Sequence, residues 1–472
     1  MHKRNQQIRK AATQLKNAEI IVADIGSTIT KISAFSGLSA VPNPCFLGQG
    51  LGLTTVAQGD VAQGLEAARK DLETRVGVNT RDATLMAASS AAGGLRMTVH
   101  GLTRDMTLRA AREASLGAGA IVTFTTAGKI HPDAREEVRR IKPNIILLAG
   151  GVDYGDREIV MANARCLASL KLDTPIVYAG NKAVSGEIRR LFESNGIPVF
   201  IVENVYPRID DLNIDPVRKV IQDVFANHIV TAPGMESIRE MAGDDIIPTP
   251  GAVMRASEIL AETMGDVMTV DVGGATTDVH SVTNGSPKLA KMMIAPEPRS
   301  KRTVEGDLGV YINASRIVEA AGSEPVQLNN VRSIPETMLE REISAQLARW
   351  AVDISIWRHA GQLRIAYGAY GRNELVEGRD LSAVRHVIGT GGALTRLGIG
   401  MEILHNIKPD PHKSKLLPPR DAAVYLDRNN IMAAAGVLAR RFPDAAETLL
   451  LESLEFAGRP SGGANGRPSL KE

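Results

Sequence analysis

The stretch Asp271-Val272-Gly273-Gly274-Ala275-Thr276-Thr277-Asp278 closes one apolar run, Val267-Met268-Thr269-Val270, and opens another that carries Val279 and Val282. β-Branched residues on both sides predict two strands joined as a hairpin. Small and hydroxyl-bearing residues in succession are a poor choice for a strand unless something lies against the backbone. A turn of that kind offers N–H groups and the Thr276 and Thr277 hydroxyls to phosphate oxygens, where bulkier residues would block the approach. Asp271, at the end of its strand, is placed to hold hydrated Mg²⁺ or to orient water.

Moving outward, Asp24-Ile25-Gly26-Ser27-Thr28-Ile29-Thr30-Lys31 repeats the design. It follows Ile20-Ile21-Val22-Ala23 and leads into a second β-branched run from Ile29 to Phe35. Gly26, Ser27, Thr28 and Lys31 are its candidate phosphate contacts, and Asp24 its metal-holding carboxylate. Alone, an Asp-x-Gly turn needs no ligand, because such turns are common in hairpins. As a facing pair, the two hairpins place two carboxylates around one triphosphate, with fixed N–H groups to stabilise charge moving onto phosphoryl oxygens. A third loop, Gly389-Thr390-Gly391-Gly392-Ala393-Leu394-Thr395, follows the run Val384-Arg385-His386-Val387-Ile388 and precedes a short helical pattern. Gly389, Gly391, Gly392 and Ala393 would let the backbone lie flat against adenine or ribose and aim a helix N-terminus at the α-phosphate. The three loops together predict ATP and Mg²⁺ as ligands, with Gly273, Gly274, Ala275, Thr276 and Thr277 binding phosphate and Asp24 and Asp271 as the catalytic, metal-holding carboxylates.

Composition narrows the class. The 472 residues suffice for two or three domains, and Lys+Arg nearly balance Asp+Glu to a formal +2. No strong field points to nucleic acid or an anionic membrane. The two cysteines form no disulfide framework or zinc pattern and are expected to be small buried groups in a reducing compartment. No apolar run reaches membrane-spanning length, so the expected location is the cytoplasm.

Strand runs alternate with helical patterns, which predicts an α/β fold. The expected organisation is a flexible basic arm over 1–18, a first nucleotide-binding domain over 19–95, and a middle parallel α/β region over 96–235. A second nucleotide-binding domain follows over 236–456, and a disordered tail over 457–472. In the middle region the runs 145–149, 175–179 and 197–201 are separated by helical stretches near 157–170 and 182–195, the spacing of right-handed βαβ crossovers.

The three loops resemble the phosphate-1, phosphate-2 and adenosine motifs of the acetate and sugar kinase, Hsp70 and actin superfamily. That resemblance implies two RNase H-like domains clasping ATP. Within it, roughly residues 19 to 440 are similar to the glutamate mutase accessory proteins called MutL, unrelated to the mismatch-repair protein of that name. The similarity rests on Ala87-Ala88-Ser89-Ser90-Ala91-Ala92-Gly93-Gly94-Leu95, Leu148-Ala149-Gly150-Gly151-Val152-Asp153, Val177-Tyr178-Ala179-Gly180-Asn181, Pro248-Thr249-Pro250-Gly251-Ala252-Val253 and Arg302-Thr303-Val304-Glu305-Gly306-Asp307-Leu308-Gly309. It implies a slowly hydrolysing, reactivating chaperone that partners subunits of an adenosylcobalamin-dependent carbon-skeleton mutase. It leaves a homo-oligomer open.

The competing readings are a small-molecule kinase in the same cleft and an ATP-binding scaffold, since fold does not fix function. A kinase needs a base beside the acceptor hydroxyl. Ala242-Gly243-Asp244-Asp245 alone resembles such a site and reads more simply as a polar loop. Leu148 to Gly155 lacks a dinucleotide-binding spacing and reads as a structural turn. Residues 302–309 are balanced between a switch or partner contact and a charged surface loop. His280 reads as a strand residue, and Trp350 and Trp357, seven apart, as ordinary helix packing.

Overall fold

A computed structural model describes residues 16–456 except 39–42, 56–60, 91–95, 119, 210, 229–234, 244–245, 295, 323–325, 369–370, 408–409 and 413. Residues 1–15 of the expected arm over 1–18, and the expected tail over 457–472, lie outside the described residues. Order begins before the expected start at 19, because Lys16–Asn17 pairs in parallel with Val78–Asn79.

The chain first lays down an antiparallel meander, β1 (Ile20–Ile25), β2 (Ile29–Ser36) and β3 (Cys45–Leu53), and then β4 (Thr84–Ser89) parallel to β1. It leaves that sheet to build five parallel strands, β5 (Arg96–Gly101), β6 (Ile121–Ala127), β7 (Ile145–Leu148), β8 (Ile176–Tyr178) and β9 (Val199–Ile201). Their order, β9-β8-β7-β5-β6, is that of a doubly wound sheet, and β7 is buried along its whole length, as a covered parallel strand must be. Helix α1 (Arg109–Gly117) belongs to the β5-to-β6 crossover. The chain then returns to the first sheet: β10 (Ile246–Pro248) pairs in parallel with β4, Ile246 opposite Ala87.

That return corrects the expected boundary at 235/236, since residues 246–248 complete the first sheet and the middle unit is an insertion between its fourth and fifth strands. A three-residue strand ending in proline, in a proline-rich stretch, carries no periodicity from which to read it. Helix α2 (Thr249–Met264) starts directly after β10. The second sheet follows with β11 (Val267–Val272), β12 (Thr277–Val282), β13 (Ser300–Glu305), β14 (His386–Thr390), β15 (Ala423–Asp427) and β16 (Leu454–Phe456). Its order is β13-β12-β11-β14-β15-β16, so its first five strands repeat the arrangement β3-β2-β1-β4-β10 of the first sheet. The two-domain α/β architecture expected from the loops is the one observed.

Helix α3 (Met338–His359), opened by a capping box between Thr337 and Glu340, covers the outer face of the second sheet together with the single turn α4 (Gly392–Thr395). Between the two sheets lie α2 and α5 (Met432–Leu438). One core joins Val22, Met86 and Ile247 of the first sheet to Val267, Val282 and Ile388 of the second through these helices. The helices touch through their backbones, because a Cβ on Gly436 would stand 1.9 Å from the Ala252 carbonyl oxygen.

Local expectations divide. Leu148 to Gly155 is a structural turn: Asn181 Nδ2 donates to the Gly155 and Asp156 carbonyls, and Asn204 Nδ2 to that of Gly151. His280 is a buried strand residue. The cysteines are not both buried as expected; Cys45 is exposed on an edge strand and Cys166 half-buried. Trp350 packs on the core, but Trp357 is 41 % exposed beneath the Lys415 ammonium. Asp244 and Asp245, of the one kinase-like segment, lie outside the described residues.

Candidate functional site

The two Asp-x-Gly hairpins form as the sequence predicts. Asp24 stands opposite Lys31 across β1 and β2, and Asp271 opposite Asp278 across β11 and β12. In each turn the glycine amide closes the loop, Gly26 N donating to Ile29 O at 3.1 Å and Gly273 N to Thr276 O at 2.9 Å. The tips meet: a Cβ on Gly274 would lie 2.8 Å from Thr28 Oγ1. A larger residue at 274 would therefore push the halves of the cleft apart.

Hydrogen bonding in the second loop is one-sided. The carbonyls of Gly273, Gly274 and Ala275 accept from Val310 N, from Tyr311 N and Ile312 N, and from Asn313 Nδ2. The amides of Gly274, Ala275 and Thr276 donate to no group among the described residues. Backbone donors left free in a cleft are the equipment of an anion cradle. Residues 306–313 supply this buttress, and a Cβ on Gly309 would fall 2.2 Å from the Ala275 carbonyl carbon. Thr277 is committed elsewhere, its hydroxyl donating to Leu308 O at 2.7 Å.

The two carboxylates differ in surroundings. Asp24 is buried; its Oδ2 pairs with Lys31 Nζ at 2.8 Å and its Oδ1 accepts from Thr249 Oγ1 at 2.8 Å. Asp271 has no such partner among the described residues. Loss of water pushes its carboxyl up to about 7, helped by the charges of Asp278 and Asp24 and opposed by those of Lys31 and Arg302. The third loop packs onto it, since Gly391 has φ +86° and a Cβ there would lie 2.5 Å from Asp271 Oδ1. Gly389 lies within β14, where a Cβ would meet Leu404; Gly392 and Ala393 open α4, a single turn.

All three loops therefore converge on one cleft, whose floor is α2 and α5. No group of three or more His, Cys, Asp or Glu side chains suited to a metal occurs among the described residues. A Mg²⁺ ion does not require one, because it keeps several waters and takes one or two carboxylates plus substrate phosphates. Asp24 and Asp271 fit that need.

Comparison with known proteins is decisive for kinship. The family model for MutL protein matches residues 20–454. The chain belongs to the MutL protein family. Protein MutL of Clostridium tetanomorphum is 35 % identical over 460 residues, covering 92 % of this chain and 98 % of that one. Among solved structures, a nucleotide-free acetone carboxylase overlaps with a TM-score of 0.40 at 12 % identity, covering 90 % of this chain and 70 % of that one. The ethanolamine utilization protein EutJ from Carboxydothermus hydrogenoformans overlaps at 0.28 and 11 % identity, covering 91 % and 89 %. Overlaps this loose bear on nothing that follows.

Several cleft residues of this MutL-family chain were not legible in the sequence. Asn430, at φ 51°, accepts from Lys31 Nζ at 3.4 Å through its side chain and from Gln49 Nε2 at 3.3 Å through its carbonyl, tying the second half to the first. Asp427 is fully buried and accepts from Thr390 Oγ1 and the Met432 amide. Thr249, whose hydroxyl donates to Asp24 Oδ1, follows a strand of three residues that carries no periodicity. The one available signal for Asp427 and Asn430 is a polar cluster closing an apolar strand, Asp427-Arg428-Asn429-Asn430, a weak mark by itself.

Proposed function

We propose that this chain binds ATP with Mg²⁺ between its two Asp-x-Gly hairpins, hydrolyses it slowly, and serves in the cytoplasm as an accessory, reactivating chaperone. Its partner is an adenosylcobalamin-dependent carbon-skeleton mutase of the glutamate mutase type. The observation that carries the nucleotide part is the convergence of Asp24, Asp271 and the unpaired amides of residues 274–276 on one cleft. Membership of the MutL family supports the partner.

Each residue has a task suited to its setting. Free N–H groups of the second loop hold phosphoryl oxygens at no cost in reorganisation. Lys31, paired with Asp24, is available to a phosphate when that carboxylate turns to metal. Mg²⁺, when bound, neutralises charge on the phosphates. Asp271, poised near neutrality, suits the proton of an attacking water. Because the cleft floor is two helices shared by both nucleotide-loop sheets, a change in loop separation is passed to both of them.

The test inactivates a glutamate-mutase-type enzyme by turnover and then adds this protein, MgATP and fresh adenosylcobalamin. Recovery is expected only with all three and is lost with Asp271→Asn. Absence of recovery from a preparation that binds and hydrolyses ATP would overturn the partner role. Rapid phosphorylation of a sugar or acid would establish the kinase instead.

A further inference from the structure

A cavity of about 660 Å³ opens where α1 of the middle unit meets the edge strand β13 of the second sheet. Of the cleft residues named above, Gly306 of the 306–313 buttress borders it, and the phosphate-loop residues 271–278 do not. Its volume is that of a small-molecule site, and junctions between units are where such sites concentrate.

Its walls are charged, and unequally. Six cationic side chains line it against three carboxylates. Lys301 is engaged by Glu113 at 3.3 Å and by Glu297 at 2.8 Å, Arg358 by Glu305 at 2.7 Å and Asp307 at 2.8 Å, and Arg364 by Glu377. Arg112, Arg379 and Lys415 make no ion pair among the described residues. Arg379 is 3 % exposed and spends its donors on a serine hydroxyl and backbone carbonyls. Lys415 Nζ donates to Ala360 O at 3.0 Å. Arg379 is balanced by the charges of Glu297 and Glu113 nearby, whereas Arg112 and two of the three Lys415 N–H groups are uncommitted among the described residues, and an anion in the cavity can take them.

A second observation comes from the acidic side. Glu113 is 9 % exposed, and while its Oε1 faces Lys301, its Oε2 is buried with no hydrogen-bond partner. A carboxylate oxygen is an acceptor only, so this vacancy is filled by a donor. We propose that the cavity is a second ligand site, distinct from the nucleotide cleft, for a small multiply charged oxyanion that also carries an O–H or N–H group. Its acidic groups face Arg112, Arg364 and Lys415; its donor meets Glu113 Oε2.

Calorimetric titration of the full chain at constant ionic strength tests this with citrate, with tricarballylate, which is citrate without the hydroxyl, and with ribose 5-phosphate. Saturable one-to-one binding of citrate or the sugar phosphate is expected, the tighter of the two revealing whether carboxylate or phosphoryl oxygens suit the arginines. Citrate should bind more tightly than tricarballylate, and Glu113→Gln should erase that preference. Arg112→Gln combined with Arg364→Gln, both exposed positions, should weaken binding at least about tenfold. Added MgATP should not displace the anion. Absence of saturable binding, indifference to the Arg112 and Arg364 substitutions, or direct competition with ATP would each overturn the site.

Discussion

Asp271 carries a proton near neutrality because the cleft desolvates it beside two other carboxylates. Its linkage has a definite sign. Between the ordinary carboxyl range and about pH 7, the native nucleotide-free protein holds a proton that the unfolded chain has released, so this group lowers stability as pH rises through that window. Burial holds His100, His280 and His359 below the usual imidazole range, and these act oppositely, costing stability as pH falls below the unfolded histidine value. The difference between wild type and Asp271→Asn isolates the carboxyl: urea midpoints should move apart between pH 5 and 8, the variant becoming relatively more stable at high pH. A constant difference would refute the assignment. The same variant should lose hydrolysis, by about 10²-fold in a steady-state assay, far more than MgATP binding, because the amides of residues 274–276 are backbone groups and survive while the carboxylate is lost. An unaltered rate would remove Asp271 from the mechanism. Asp271 was legible in the sequence because a strand followed by small residues admits few explanations; Asn430 was not, since its role depends on a left-handed turn meeting a strand some four hundred residues away.

At the scale of elements, β13 is the least legible and the most consequential. Its charges suggested a surface loop or a switch, yet Arg302 is among the largest fully buried side chains. The surface-loop reading fails for that residue. Its Nη2 donates to Asp278 Oδ1 at 2.9 Å, and its Nη1 to Leu116 O at 3.0 Å, near the C-terminal end of α1. A cation there satisfies a helix carbonyl as well as the carboxylate. The burial is supplied by α1, 186 residues earlier in the chain, which no local pattern can announce. Arg302 therefore joins the strand after the phosphate loop directly to the middle unit. Breaking this buried pair from one side leaves an uncompensated charge, so Arg302→Met should cost about 3–5 kcal/mol in urea unfolding. Combining it with Asp278→Asn should cost much less than the sum of the two single changes. Strict additivity would show that the two side chains do not act as a pair.

At the scale of the whole molecule, two sheets with one strand order face each other across α2 and α5, and a third sheet is inserted into the first. The repeated order was foreshadowed by the repeated Asp-x-Gly hairpin, because each hairpin supplies the first two strands of its sheet. The insertion point was not, because three residues of β10 carry the whole signal of the return. The architecture brings three loops, separated by more than a hundred residues each, to a single place, and the account stands on their binding one nucleotide. A calorimetric titration of the intact protein with MgATP tests this most directly, run in parallel on wild type and on Gly274→Val, whose side chain would collide with Thr28. One saturable site is predicted for wild type, tightening as pH rises through about 7 because Mg²⁺ favours the ionised form of Asp271, with binding lost or sharply weakened in the variant. No heat from folded wild-type protein at millimolar MgATP, or equal binding by Gly274→Val, would contradict it.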